Sequence, residues 1–221
     1  MTSQKQQHWI IINISLVCLL LTGCGTTPPS RYYMLNGIPQ ASIDNRLNQD
    51  EVKVHIGVGP ITIPKYLDRY AIVKRSNGAE VIINDAHRWA EPLADNFTRV
   101  LANNIYLLTD TADISIHPWR NANEIDYQVV IDVQRFDADL NNNVILNVHW
   151  TINGKAGKKS LDKQKIIIRD NAGNGDYATL VSAQSKATER LSREIADKLK
   201  EIIAQEHYLH RYCGVSIEGH S

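Results

Sequence analysis

The first half of the chain shows the alternation of apolar and polar residues that is typical of β-strands. An apolar residue stands at every second position from 52 to 58, which is the period of a strand with one buried face. Pro60 and Pro64 are predicted to end this strand, because proline cannot donate to a sheet ladder. A shorter aromatic and apolar run at 32–35 predicts an earlier strand.

A hairpin and a helix are predicted next. Apolar runs at 70–75 and 79–83 flank the pair Asn77-Gly78, which is a strong turn signal. A helix is predicted over about 91–108, because Pro92 suits a first-turn position, where its missing N–H costs nothing. Apolar residues recur along this segment at spacings of three and four: Leu93, Phe97, Val100, Leu101, Ile105 and Leu108.

Strands return in the second half, and a long helix follows them. The runs 114–116, 127–135 and 144–152 predict strands, and a further strand is predicted to end at 166–168. Asn153-Gly154 predicts another tight turn. Asp176 is expected to cap the last helix, whose apolar stripe comprises Leu180, Ala187, Leu191, Ile195, Leu199 and Ile202.

The order of these elements predicts the fold class. Strands, a helix, strands and a helix follow one another, and each element has one apolar face that must be covered. We therefore expect an α+β fold, in which a mainly antiparallel sheet carries two helices packed on one face.

A targeting segment precedes the predicted domain. Residues 9–21 form an apolar run that only Asn13 and Ser15 interrupt, and Lys5 supplies a positive charge before it. A transmembrane helix needs about 20 apolar residues, whereas a secretory signal needs about 7 to 15, so the run predicts a cleavable signal.

The segment Leu21-Thr22-Gly23-Cys24 follows the apolar run directly and resembles the lipobox of bacterial lipoproteins. The resemblance implies cleavage between Gly23 and Cys24 and acylation of Cys24. Gly25 stands where such lipoproteins carry Asp when they stay in the inner membrane, which implies export to the outer membrane. The alternative is an ordinary secretory signal with a chance cysteine.

The predicted organisation has four parts. Residues 1–23 are the signal, 24–30 the lipidated cysteine and its tether, 31–207 one periplasmic domain, and 208–221 a C-terminal tail. The tether is polar and contains proline, and at about 3.3 Å per extended residue it reaches roughly 20 Å. The domain is therefore expected to lie close to its membrane.

Charge and cysteine content narrow the functional classes. The chain has 24 basic and 24 acidic residues, so no basic excess is available to neutralise a nucleic-acid backbone. After loss of Cys18 with the signal and acylation of Cys24, only Cys213 remains, which excludes an intramolecular disulfide. Pairing of Cys213 between chains is the minor alternative.

Motifs for catalysis are absent from the sequence. We find no G-x-S-x-G elbow, no phosphate loop and no H-E-x-x-H pair. The segment Gly57-Val58-Gly59 lacks the third glycine of a dinucleotide site and indicates a strand end. The sequence therefore predicts a non-enzymatic protein without a cofactor.

Two segments resemble metal sites only in part. Residues 137–143 begin like a calcium loop, but Asn142 and Val148 occupy the positions that require Gly and Glu, so a polar hairpin connection is favoured. His207, His210 and Cys213 are spaced by three, yet no fourth ligand accompanies them. A solvated helix end is the favoured interpretation of this group, and a zinc site is the minor one.

Three segments together resemble the PqiC/YmbA family, the auxiliary lipoproteins of ABC-type and MCE-type transport systems. They are 31–35, 57–60 and 88–93, and the resemblance extends over roughly 32–204. Its aromatic residues are either core anchors or contact residues, and a core role is favoured, above all for Trp89. Structural roles are expected for Tyr32, Tyr33, Leu35, Trp89, Pro92 and Leu93.

This resemblance implies a function. Family members are outer-membrane lipoproteins that face the periplasm and work with MCE-domain (PqiB-like) proteins, which are anchored in the inner membrane and carry lipids between the membranes. The chain is expected to dock such a partner at the outer-membrane lipids and to support membrane integrity. A homo-oligomeric ring is the geometry that would match a tubular partner. The alternatives are a stand-alone lipid- or ligand-binding lipoprotein and, more distantly, a periplasmic hydrolase.

Overall fold

A computed structural model describes residue 9 and the ranges 29–39, 54–76, 79–109 and 112–213. The predictions for Gly23, Cys24 and the turn Asn77-Gly78 lie outside these residues. Within the described ranges, eight strands and two α-helices follow one another: β1 Arg31–Tyr33, β2 Val54–Thr62, β3 Ala71–Arg75, β4 Val81–Trp89, α1 Leu93–Thr109, β5 Ala112–Ile116, β6 Tyr127–Ala138, β7 Asn143–Asn153, β8 Ser160–Asn171 and α2 Tyr177–Cys213.

The strands form one mixed sheet around β6. Its two longest ladders, β6–β7 and β7–β8, are antiparallel. On the other edge of β6, β2 pairs in parallel and is itself paired in parallel with β5. The end of β6 also contacts β3, which continues through β4 to β1. The sheet thus brings β1, near the chain's start, to its edge.

One face of the sheet is covered by both helices. Side chains alternate between buried and half-buried along β7, as the apolar period predicts. The buried face shares one core with the stripes of α1 and α2, and the predicted stripe residues of both helices that lie in this core include Phe97, Leu101, Leu191 and Ile195. Asp176 caps α2 by accepting a hydrogen bond from the Thr179 N–H at 2.7 Å.

The predicted α+β class with two helices is confirmed, but the sheet is mixed and, by its strand pairs, not mainly antiparallel. Its pairs β3–β4, β6–β7 and β7–β8 are antiparallel, whereas β1–β4, β2–β5, β2–β6 and β3–β6 are parallel. The chain from Arg31 onward forms one compact unit. None of the helices in the described ranges has the length and apolar character that crossing a membrane requires.

Three local predictions were wrong. Strand β2 continues through Pro60 to Thr62, because its ladder with β6 shifts register between Val58 and Ile61 and the missing N–H of Pro60 falls in that irregularity. Strand β4 continues to Trp89, beyond the predicted run at 79–83. The connection after β7 is longer than a tight turn, since it contains a 3-10 turn at Lys155–Gly157.

Candidate functional site

The two aromatic segments of the family resemblance meet at the sheet edge. Strand β1 pairs in parallel with the end of β4, so that Tyr33 is the register partner of Trp89. The Ala90 N–H donates to the Tyr33 carbonyl at 2.9 Å, and the Trp89 N–H donates to the Tyr70 carbonyl at 2.7 Å. Segments far apart in sequence are thereby joined through main-chain hydrogen bonds.

The apolar residues of this junction are buried. Trp89 has 2% of its surface exposed, and Leu35 and Leu93 are buried beside it in the same core. Pro92 lies just before α1, and its carbonyl accepts the N–H groups of Asp95 and Asn96 at 3.1 Å each. Proline suits this position because an N–H there would have no helical partner.

Tyr32 does not lie in the core. Its side chain is 64% exposed, because successive side chains of a strand point to opposite faces and its neighbour Tyr33 points inward. The Tyr33 hydroxyl and Nδ1 of His87 form a hydrogen bond of 2.8 Å. The core role that its aromatic character favoured is therefore wrong for Tyr32.

Two buried asparagines fasten the segment after β1 to the helices. Asn96 accepts the Leu35 N–H at 2.6 Å, and Asn104 accepts the Ile38 N–H at 2.9 Å. The Asn104 amide also donates to Ser192 Oγ of α2 at 3.1 Å. Each asparagine satisfies a main-chain group that would otherwise be buried without a partner.

Sequence reasoning missed both asparagines, although a signal was present. Asn96 and Asn104 fall on the apolar stripe of α1, between Leu93, Phe97 and Ile105. A polar residue in such a stripe must find a partner in the core. It therefore marks a place where another chain segment crosses the helix.

Asn104→Ala should lower the free energy of unfolding by about 1–3 kcal/mol, because it leaves the buried N–H of Ile38 unpaired. The neighbouring Asn103 is exposed, so Asn103→Ala should cost less than about 0.5 kcal/mol. Urea unfolding of the two variants measures the difference. Equal costs would show that the Asn104 hydrogen bonds do not hold this segment.

A stack of aromatic rings lies beneath the same edge. The rings of His87 and Tyr177 are parallel, with centroids 3.8 Å apart. Lys74 lies 5.0 Å from the Tyr177 centroid and donates to the Gly175 carbonyl at 2.8 Å. Burial, followed by the positive charges of Arg31 and Lys74, lowers the pKa of His87. This histidine is therefore neutral at neutral pH and acts as a packing group.

A second buried polar network lies on the opposite face of the sheet. The Asp137 carboxylate is fully buried and accepts hydrogen bonds from Tyr66 at 2.7 Å, Arg135 at 2.7 Å and Arg75 at 3.3 Å. Burial of the Tyr66 hydroxyl and its hydrogen bond to Asp137 raise its pKa to about 12. The network holds one buried carboxylate between two guanidinium groups and resembles a structural ion pair.

Besides the contact of His87 with Tyr33, the described residues contain a contact between a histidine and a serine hydroxyl, the pair of groups found in nucleophilic catalysis. His55 Nε2 lies 2.7 Å from Ser115 Oγ on neighbouring strands. The Asp126 carboxylate accepts the main-chain N–H of His55 at 2.9 Å and so does not orient the ring. A nucleophile and base need such an orienting group, so the pair is a cross-strand hydrogen bond.

Among the described residues, no group of three or more His, Cys, Asp or Glu side chains can hold a metal ion. Of the predicted group, His207 lies on α2, whereas the side chains of His210 and Cys213 lie outside the described residues.

Two clefts of the described surface are small. One of about 270 Å³ lies between the end of β2 and the start of α1 and is lined by Pro60, Ile61, Asp95, Thr98 and Arg99. Another of about 240 Å³ lies beside Trp119. Both are below the 300–1,000 Å³ of typical small-molecule sites.

The sequence profile of ABC-type transport auxiliary lipoprotein components matches residues 33–196. The chain belongs to this family. The match runs from Tyr33, the last residue of β1, to about the middle of α2, and so contains Tyr33, Trp89 and Asn96 of the junction. The resemblance that the sequence suggested is confirmed.

Two solved structures share the fold of this family member. An uncharacterised protein superposes with a TM-score of 0.64 at 16% identity, covering 77% of this chain and 99% of its own. Protein XCC0632 from Xanthomonas campestris has a TM-score of 0.64 at 14% identity, covering 80% and 99%. No curated protein sequence matches significantly.

Membership places the chain among membrane-anchored envelope lipoproteins that assist transport. The sequence predicts the same class of protein, an auxiliary lipoprotein of a transport system.

Proposed function

We propose that this chain is a non-enzymatic outer-membrane lipoprotein that docks an MCE-type (PqiB-like) transporter, spanning the periplasm, to the outer membrane and thereby supports membrane integrity. The match of residues 33–196 to transport auxiliary lipoproteins carries the proposal. In this proposal Cys24, the last residue of the lipobox, carries the acyl anchor, and Gly25 directs the protein to the outer membrane.

The way in which β1 is held supports a docking role. A tether of about six residues precedes Arg31 and reaches roughly 20 Å. The segment that follows is bonded to β4 by main-chain contacts and to α1 and α2 by Asn96, Asn104 and Ser185. A short tether joined to a firmly held strand fixes the height of the domain, and fixed height is what a bridge between membranes needs.

The two clefts at the end of β2 and beside Trp119 are each too small for a whole lipid, which agrees with a docking role. The described clefts, at about 270 and 240 Å³, do not reach the size of ordinary ligand sites. In this proposal the transported lipid passes through the partner or between subunits. One such arrangement of subunits is a ring of copies of this chain. The surface of the domain supplies the contact.

Cys24→Ala should abolish acylation and leave a precursor that retains residues 1–23. Because the domain then lacks its acyl anchor, it should fail to support envelope integrity, which is measured as growth in the presence of detergent. Mass spectrometry of the purified protein checks the processing. Cleavage elsewhere with an unmodified N-terminus in the wild type would contradict acylation at Cys24, and full detergent resistance of a non-acylated variant would contradict the function.

A further inference from the structure

An exposed cluster of aromatic and basic side chains lies where the tether enters the fold. We define the aromatic–basic patch as Tyr32, Tyr70 and Arg88. Tyr32 is 64% exposed and Tyr70 is 49% exposed. Neither ring is needed for the core, because Tyr33 and Trp89 fill the opposite face of the same strands.

The three side chains form one surface. Tyr32 and Arg88 are register partners in the parallel pair of β1 and β4, so their side chains leave the sheet on the same face. The Arg88 guanidinium lies 5.8 Å from the ring centroid of Tyr70. The patch is thus a continuous row across three neighbouring segments.

The charge around this row is positive. Arg69 is exposed and precedes Tyr70, whereas Arg31 is the register partner of His87 and leaves β1 on the opposite face. Among the described residues, none of the ion pairs contains Arg31, Arg69 or Arg88. The patch therefore offers guanidinium groups that no carboxylate neutralises.

From these observations we infer that the aromatic–basic patch contacts phospholipid headgroups of the membrane that holds the acyl anchor. Tyrosine rings favour the boundary between headgroups and acyl chains, because one end is apolar and the other forms hydrogen bonds. Arginine pairs with phosphate through two parallel N–H groups. The tether of about six residues keeps the patch within roughly 20 Å of that surface. The inference depends only on the acyl anchor of the proposed function and not on docking to a transporter.

Tryptophan fluorescence on vesicles tests this contact. Acylated protein carrying Tyr32→Trp or Tyr70→Trp is reconstituted into vesicles of phosphatidylethanolamine and phosphatidylglycerol with brominated acyl chains. The matched control is Tyr106→Trp, because Tyr106 is 53% exposed and lies about 20 Å along α1 from Leu93. The wild-type emission is subtracted first. Bromine should then quench the added tryptophan at position 32 or 70 at least about twofold more strongly than the added tryptophan at position 106. Equal quenching at all three positions would overturn the inference.

A second copy of the chain is the competing occupant of the patch. If the tryptophan at 32 or 70 becomes shielded in the absence of lipid as the protein concentration rises, the patch is a protein interface and the inference fails. Arg88→Glu should reduce the quenching of Tyr32→Trp, since repulsion from phosphate replaces attraction. Unchanged quenching in that variant would remove Arg88 from the contact. Because the vesicles contain no transporter, a failure of docking leaves these results unaffected.

Discussion

Trp89→Ala is expected to lower the free energy of unfolding by about 3–5 kcal/mol, the usual cost of removing a large buried aromatic side chain. Trp89 is only 2% exposed and packs in the core where β1, β4 and α1 meet. Its loss should also loosen β1, because the Trp89 N–H donates to the Tyr70 carbonyl and the adjacent Ala90 N–H donates to the Tyr33 carbonyl. Urea unfolding followed by circular dichroism measures the change.

Tyr32→Ala is the matched control for this prediction. It removes an aromatic residue from the neighbouring strand of the same junction, but Tyr32 is 64% exposed, so the cost should stay within about 0.5 kcal/mol. A small effect of Trp89→Ala, or equal effects of the two changes, would show that the burial of Trp89 does not stabilise the junction.

The alternation of apolar residues was sufficient to predict most of the fold. In β7 the period of two predicts which side chains enter the core, and in α2 the stripe from Leu180 to Ile202 is buried as expected. These predictions depend only on the geometry of an isolated strand or helix. They therefore need no knowledge of the neighbouring elements.

The predictions that were wrong or missing concern residues whose position depends on tertiary contacts. Pro60 is accepted inside β2 because the ladder with β6 is irregular there, and a ladder cannot be seen in one strand alone. Asn96 and Asn104 depend on the segment that crosses α1 about 60 residues away in sequence. Tyr32 and Tyr33 are residues of the same type, and only the pairing of β1 with β4 determines which of the two rings faces outward.

Gly25→Asp should abolish function while leaving the folded domain intact. In the lipoproteins that the N-terminus resembles, Asp after the acylated cysteine retains the product in the inner membrane. The short tether would then hold the domain near the wrong membrane, out of reach of the outer one. Sucrose-gradient fractionation should find the variant with the inner membrane, and the cells should lose their resistance to detergent.

Gly25→Asn is the control, because it has nearly the same size as Asp without the charge. It should remain in the outer membrane and support full resistance. The unfolding free energy of both variants should equal that of the wild type, since position 25 precedes the compact unit that begins at Arg31. Full resistance in cells whose Gly25→Asp protein resides in the inner membrane would exclude bridging and favour a stand-alone binding role.

Docking itself is tested most directly by recovering the partner from native membranes. The acylated chain is tagged, expressed at its native level and captured after mild detergent extraction. The proposed function predicts that a protein with MCE domains is recovered with it, and that Gly25→Asn recovers the same partner. Capture of the intact, outer-membrane-anchored chain without any MCE-domain protein, from cells that show full detergent resistance, would contradict it.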